Sequence, residues 1–218
     1  MTKRNVHDDM VRGAAELLAA RGVQGTSFSE VLAHTGAPRG SIYHHFPGGK
    51  DELVRAATRS VGDGVTVLLD SLDATSPAKV VDAFVDGWRS VLLAGDYERG
   101  CVVAASCLGS EATDELRALS GEVFRNWRDA LARALIRSGA TRRQAEDLAM
   151  VCLASVQGAL IVGRAEHDDA VFDALERQLR RLATTKGGTR RSSSPTPPGA
   201  STAARSGPTV QPGGDHAG

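Results

Sequence analysis

Arg39, Ser41, Tyr43, His44 and Lys50 lie close together in the chain, with Gly40 among them, between Gly36-Ala37-Pro38 and the run Pro47-Gly48-Gly49. A guanidinium fork, a hydroxyl, a phenol, an imidazole and an ammonium share one chemistry: they bind phosphate oxygens and base edges. Arg39 carries the planar fork that matches guanine O6 and N7, which suits it to base readout. Ser41, Tyr43, His44 and Lys50 suit phosphate or mixed contacts, which position a protein without reading sequence. Gly40 lets the backbone approach closely. Thr26 and Ser27 open the preceding segment, where hydroxyls and free helix amides can hold a phosphate. Ile42 and Phe46, four apart, face inward and are excluded. His45 is equally suited to a phosphate contact and to packing. Neighbouring side chains on a helix point about 100° apart, and no cysteine or carboxylate stands four residues beyond His44 or His45. The histidine pair therefore does not have the makings of a metal site.

These groups need a helix to present them, and the flanking residues supply its punctuation. Ser27 and Glu30 fit the S-x-x-E capping box, with Phe28, Val31 and Leu32 at helical spacing behind it. Gly36 stands where a helix end wants a left-handed residue. Pro38 is acceptable in the first turn of the next helix, which runs through Phe46. Two helices of about eight residues do not hold together alone in water. Residues 5–21 provide the third: Val6, Met10, Val11, Ala14, Leu17 and Leu18 form one apolar stripe, with Arg12, Glu16 and Arg21 largely off it, and Gly22 closes the helix.

Three helices with a basic, aromatic and small-residue face on the third resemble the helix-turn-helix head of the TetR family of bacterial repressors. The match is carried by residues 23–50. Pro38 stands where a serine or other polar residue is frequent in that family. The connection Phe-Pro-Gly-Gly-Lys is one residue longer than the commoner Phe-x-x-Lys; following Tyr-His-His, it is similar to the LmrA/YxaF-type branch. The resemblance implies that Thr26, Ser27, Arg39, Gly40, Ser41, Tyr43, His44 and Lys50 contact double-stranded operator DNA. It also implies a homodimer on a palindromic operator, formed by the last two long helices in a four-helix interface. The alternative is that those helices finish the core of a monomer.

Composition is consistent with this. At 218 residues the chain holds one or two domains, and 41% hydrophobic content is enough for a core. Long proline-free stretches with helical periodicity argue for an all-α fold. Net charge is zero, but it is unevenly spread. Residues 1–59 carry 8 Lys/Arg against 6 Asp/Glu, residues 60–183 carry 14 against 19, and residues 184–218 carry 4 against 1. A mildly basic head on an acidic body suits a dimer whose two heads add on DNA. Cys101, Cys107 and Cys152 are not spaced for zinc; with no signal peptide in view they read as buried small side chains in a reducing cytoplasm, a thiol switch being the alternative. The longest apolar run, Ala149 to Val162, is too short to span a membrane.

The expected organisation is a DNA-binding head at 1–48, a helical ligand-binding and dimerisation body at 49–183, and a disordered tail at 184–218 rich in Gly, Ser, Thr and Pro. In the body, Leu53, Ala57, Val61, Val65, Leu68 and Leu72 form one stripe, and Val171, Phe172, Leu175, Leu179 and Leu182 form another. Residues 142–166 form a helix that is apolar nearly all round between Leu148 and Val162, as in a helix enclosed on several sides. Phe84, Trp88, Cys101, Cys107, Phe124, Trp127, Met150 and Leu153 gather most of the large or soft side chains and are the expected ligand site, with Arg89, Asn126, Arg128 and Gln157 as polar groups. Taken one by one, each of them suits the body's core at least as well.

The resemblance implies a small hydrophobic or aromatic effector that releases DNA, and no cofactor. A DNA-binding regulator without a ligand, and a helical carrier or enzyme, are the competing functions. The latter lacks a Glu-x-x-His pair for a di-iron site and a phosphate-binding glycine loop. Its densest cluster, Glu166-His167-Asp168-Asp169, reads as a solvated turn.

Overall fold

Side-chain caps punctuate the chain. Ser27, Ser76, Thr113 and Thr141 each accept the amide three residues on, satisfying one of the donors that a helix start leaves free. In this computed structural model, which describes residues 5–185, the elements between the caps are nine α-helices, and the described residues contain no strand. They are α1 (Val6–Arg21), α2 (Phe28–Thr35), α3 (Arg39–His45), α4 (Lys50–Asp70), α5 (Pro77–Ala94), α6 (Val102–Cys107), α7 (Asp114–Arg137), α8 (Arg142–Glu166) and α9 (Ala170–Thr184). The fold is all-α. From residue 186 on, the expected tail lies outside the described residues.

Two apolar clusters organise the helices. The first joins Met10, Ala14 and Leu18 of α1 to Val31, Ile42 and Phe46, and takes in Leu53, Val54 and Ala57 of α4, Val102 of α6 and Leu116 of α7. The head's core therefore does not close at residue 48; the first two turns of α4 belong to it. The second cluster centres on Phe84, Trp88, Leu92, Trp127, Leu131, Leu135, Cys152, Val156, Leu160, Phe172 and Leu179. Truncating a fully buried ring such as Phe46 or Phe172 removes about 3–5 kcal/mol.

α4 passes from one cluster to the other, and polar contacts tie it across the join. Arg55 reaches Glu115 at 2.8 Å, and the buried hydroxyls of Thr58 and Ser106 lie 2.8 Å apart. The turn before α6 and the end of α8 fasten the end of α1: the Gly100 amide donates to the Ala19 carbonyl at 2.8 Å, and an Arg164 guanidinium N–H of α8 donates to that of Ala20 at 3.3 Å.

Three apolar assignments differ from the sequence reading. Leu68 and Leu182 are exposed rather than packed: Leu69, not Leu68, turns to the core from α4, and Ala183 follows Leu179 on the packed face of α9. α8 is not enclosed all round. Leu148, Cys152, Val156, Ala159 and Leu160 pack inward, while Met150, Val151, Ile161 and Val162 face out. α8 also contains an 18-residue stretch of mean hydropathy 1.7, so by length and composition alone it is sufficient to cross a membrane. The run from Ala149 to Val162 is thus extended at its ends, where Leu148 precedes it and Gly163 follows it. In the fold α8 packs against α5, α7 and α9.

Candidate functional site

The outer face of α3 is built by its two ends. At its start Gly36 takes a left-handed conformation (φ 68°, ψ 19°) to end α2, and Pro38 (φ −64°, ψ 134°) caps α3 rather than lying inside it. At its far end the extra residue of Pro47-Gly48-Gly49 is absorbed by Gly49 at φ 78°, and the Glu52 carboxylate accepts the Gly48 amide at 2.7 Å. Between them Ile42 and Phe46 are buried, while Arg39, Gly40, Tyr43 and His44 are exposed on one side. A Cβ on Gly40 would meet no neighbour within 4 Å, so the backbone there is open to close approach. Tyr43, 70% exposed, rests its ring edge-on against Phe28 at 5.5 Å between centroids, which fixes its direction.

Other expected contacts are engaged within the protein. Thr26 is 1% exposed, and its hydroxyl donates to the Gly22 carbonyl at 2.8 Å. It closes the α1–α2 turn and does not present itself to a phosphate. Ser27 completes the capping box: its amide donates to Glu30 Oε2 at 2.9 Å, and this hydrogen bond, with that from the Ser27 hydroxyl, holds the Glu30 carboxyl below its usual value. The Ser41 hydroxyl donates to the Pro38 carbonyl at 2.6 Å, and Lys50 Nζ donates to Glu111 Oε2 at 2.8 Å. His45 packs edge-on to His7 at 5.7 Å, the packing role of its two alternatives.

A second feature lies beside the head. A cavity of about 380 Å³ opens between α1, α4, α5 and the turn before α6. Its walls are Val61, Val65, Leu68 and Leu69 of α4, with Phe84, Trp88 and Val91 of α5 and Cys101. Of the expected ligand residues it brings together Phe84, Trp88 and Cys101. Cys107, Phe124, Trp127, Met150 and Leu153 do not line it: Cys107 lies at the far end of α6, and α7 and α8 contribute no wall. Trp127 stands behind Trp88 at 5.5 Å between ring centroids, donates its indole N–H to the Gly62 carbonyl at 2.8 Å, and receives Phe124 edge-on at 5.6 Å. Leu153 is core, Met150 is half exposed, and the Cys107 thiol donates to the Ala104 carbonyl at 3.3 Å.

Among the polar candidates, Arg89 pairs with Asp173 at 2.6 Å, Arg128 with Asp129 at 3.1 Å, and Asn126 faces out; Gln157 sits beside the Cys101 thiol. The cavity's charged groups are instead Arg12, Glu16 and Arg99. Glu16 was visible as a carboxylate off the α1 stripe, but nothing local pairs it with a turn so distant in sequence. The thiols are held protonated: burial pushes Cys101 up to about 11 and Cys152 up to about 12, and raises Cys107 as well.

Known proteins share both parts. The family model for bacterial regulatory proteins of the tetR family matches residues 11–57, and that for the LmrA/YxaF-like transcriptional regulator C-terminal domain matches residues 77–178. An HTH-type transcriptional regulator of Mycobacterium tuberculosis is 36% identical over 181 residues, covering 79% of this chain and 91% of the relative. YxaF of Bacillus subtilis is 26% identical, covering 86% and 100%. In fold, a TetR transcriptional regulator from Legionella pneumophila superimposes with a TM-score of 0.73 at 17% identity, over 84% of this chain and all of that one. A cysteine variant of the TetR-family regulator CifR, crystallised with 26-base-pair operator DNA, gives 0.61 at 22%, over 83% and 98%. With a head and a body each matched by its own model, and a relative above a third identical over most of its length, the chain belongs to the TetR family of bacterial transcriptional regulators, with an LmrA/YxaF-like body.

Proposed function

We propose that the protein is a cytoplasmic, ligand-responsive repressor that binds a palindromic operator as a homodimer and leaves it when a small apolar or aromatic molecule occupies the body. Residues 1–48 read DNA, residues 49–183 bind ligand and dimerise. Arg39 reads a base, while Gly40, Tyr43 and His44, and Ser41 and Lys50 after releasing their internal partners, hold the backbone. Ser27 offers a phosphate the capped start of α2. The observation that carries the reading is the position of the cavity: α1 of the head forms one wall and Phe84 and Trp88 of the body another. An occupant touches both parts at once, which supports a ligand having different affinity for the DNA-competent and released arrangements.

Dimerisation is supported by the outward apolar face of α8. Val151, Ala154, Gly158, Ile161 and Val162 follow helical spacing, and Ile161 is 66% exposed. Small residues among them allow a second helix to approach closely, and two-fold symmetry then places two α3 helices in successive turns of the groove.

The test is selection from a random duplex pool followed by release. The selected sequences should be approximately palindromic, and Ile161→Glu should yield a monomer by sedimentation with lost operator affinity. Aromatic compounds that quench tryptophan fluorescence should free the selected duplex over the same concentration range, and Trp88→Leu should blunt both effects. Selected DNA that no cavity-binding compound releases would leave a DNA-binding regulator without a ligand.

A further inference from the structure

The cavity's walls are apolar, so its charged groups are conspicuous, and they are not equally committed. Arg12 is held by Asp9 at 2.6 Å. Glu16 is held by α2: the His34 Nε2 lies 2.7 Å from Glu16 Oε2. Arg99 is different. Its guanidinium comes to 3.9 Å from the same Glu16 oxygen, too long for a hydrogen bond, and no closer partner of it is seen among the described residues. Its stem lies over Gly95, so closely that a Cβ there would come within 2.6 Å of the Arg99 Cβ and Cγ. The result is a positioned fork with uncommitted donors at the mouth of an apolar chamber.

We propose that the effector is an anionic amphiphile, a ring-sized apolar body bearing one compact carboxylate-like group, which is bound by Arg99 and signals to the DNA-binding head through Glu16 and His34. This rests on the ligand reading above and adds the charge of the ligand and the route of its effect. A planar guanidinium recognises a carboxylate through two parallel hydrogen bonds, which a neutral hydroxyl does not reproduce and an ammonium opposes. The ligand's anion would then take the place beside Arg99 that the Glu16 carboxylate now faces at 3.9 Å, and the two like charges favour separation even though both side chains reach solvent. Glu16 is also the acceptor for His34, so its displacement changes the tie between α1 and α2. That tie sits at a close part of the crossing: a Cβ on Gly13, one turn before Glu16, would run into the Thr35 methyl and crowd His34. Helices packed this closely have little room to adjust gradually, and a shift at Glu16 is passed to the start of the reading helix.

The experiment uses the full-length protein and three probes with one body: 1-naphthylacetate, 2-(1-naphthyl)ethanol and 2-(1-naphthyl)ethylammonium. Calorimetry should rank the acid first, roughly tenfold or more tighter than the alcohol, with the ammonium last. Arg99→Gln should bring acid and alcohol to similar affinity. Hydrogen exchange of the peptide covering residues 28–36 should rise when the acid saturates the wild type. It should be raised already in Glu16→Gln, without further response to the acid. Equal affinities, or the ammonium binding best, would overturn the anionic class while leaving an apolar ligand cavity intact. Tight acid binding with no change of exchange in residues 28–36 would overturn the Glu16–His34 route. Failure of all three probes to bind would remove this inference and the cavity reading together.

Discussion

Lys50 Nζ donates to Glu111 Oε2 at 2.8 Å, and the pair joins the first turn of α4 to the segment before α7. The ammonium that best suits a DNA phosphate is thus held by a carboxylate of the body while the protein is free. Both side chains are about a third or more exposed, so the pair contributes at most about 1 kcal/mol. In the proposed interface, binding DNA exchanges one anion for another. Glu111→Gln is therefore expected to raise affinity for all duplexes a few-fold at low salt. Lys50→Ala should lower it for all duplexes and reduce the salt slope by about one per protomer. Fluorescence anisotropy across a salt series measures both; unchanged affinity in both variants would remove Lys50 from the interface.

Arg39 is exposed at the first turn of α3, directly after the Pro38 cap. Arg39→Ala is expected to cost about 1–3 kcal/mol and relax preference at one base pair of each half-site. Arg39→Lys is the sharper test, since it keeps the charge and loses the fork. Binding to unrelated DNA should persist while discrimination at that pair falls. Competition between the selected duplex and single-substituted duplexes reads the difference, and intact discrimination in Arg39→Ala would assign base readout to another side chain.

Local signals made most of the helices legible. Ser27 with Glu30, Ser76 with Pro77, and Gly36 are short-range chemistry, and each falls at the helix end that its type implies. Side-chain direction was less legible where it depended on what a helix meets. Thr26 has the residue type of a phosphate ligand, but a turn carbonyl one helical step back claims its hydroxyl. Trp88 and Trp127 look alike in sequence; the first lines the cavity and the second is sealed behind it by its bond to Gly62. The Glu16–His34 and Glu16–Arg99 contacts were out of reach because periodicity within one helix carries no information about which distant carboxylate meets which cation.

Burial, not a redox pairing, governs the thiols. In the unfolded chain a cysteine ionises near 9.0, whereas the folded protein holds Cys101 neutral to about 11 and Cys152 to about 12. A raised folded-state value means that the native state keeps protons the unfolded state has lost. This contribution is fully present below about pH 9 and is lost as pH rises through 11 to 12. Urea unfolding at pH 7, 9 and 10.5 should show most of the fall in the last step, smaller in Cys152→Ala. Alkylation by iodoacetamide at pH 7.5 should be slow in the native protein and fast in urea. Rapid native alkylation of Cys152 would contradict its burial.

Gly62 and Gly64 stand on the same helix and separate packing from propensity. Replacing a glycine by alanine inside a helix stabilises it by up to about 1 kcal/mol. At Gly64 a Cβ meets nothing within 4 Å, so Gly64→Ala should show that gain as a higher melting temperature. At Gly62 the same Cβ would come within 2.8 Å of Val123 Cγ1 and 2.9 Å of Val123 Cγ2, both on α7. Val123 is β-branched and buried, so it has few other rotamers to adopt. α4 must instead move away from α7, and overpacking of this kind costs about 1–3 kcal/mol. That movement also lengthens the 2.8 Å bond from the Trp127 indole to the Gly62 carbonyl, and a buried N–H left unpaired adds roughly 1–3 kcal/mol. Both penalties exceed the propensity gain, so Gly62→Ala should melt lower than wild type while Gly64→Ala melts higher. Because α4 carries the head's core on its first turns and the cavity wall on its later ones, Gly62→Ala should also change affinity for the selected duplex without touching any residue that faces DNA. Equal melting temperatures for the two variants would mean that α4 and α7 do not approach each other this closely.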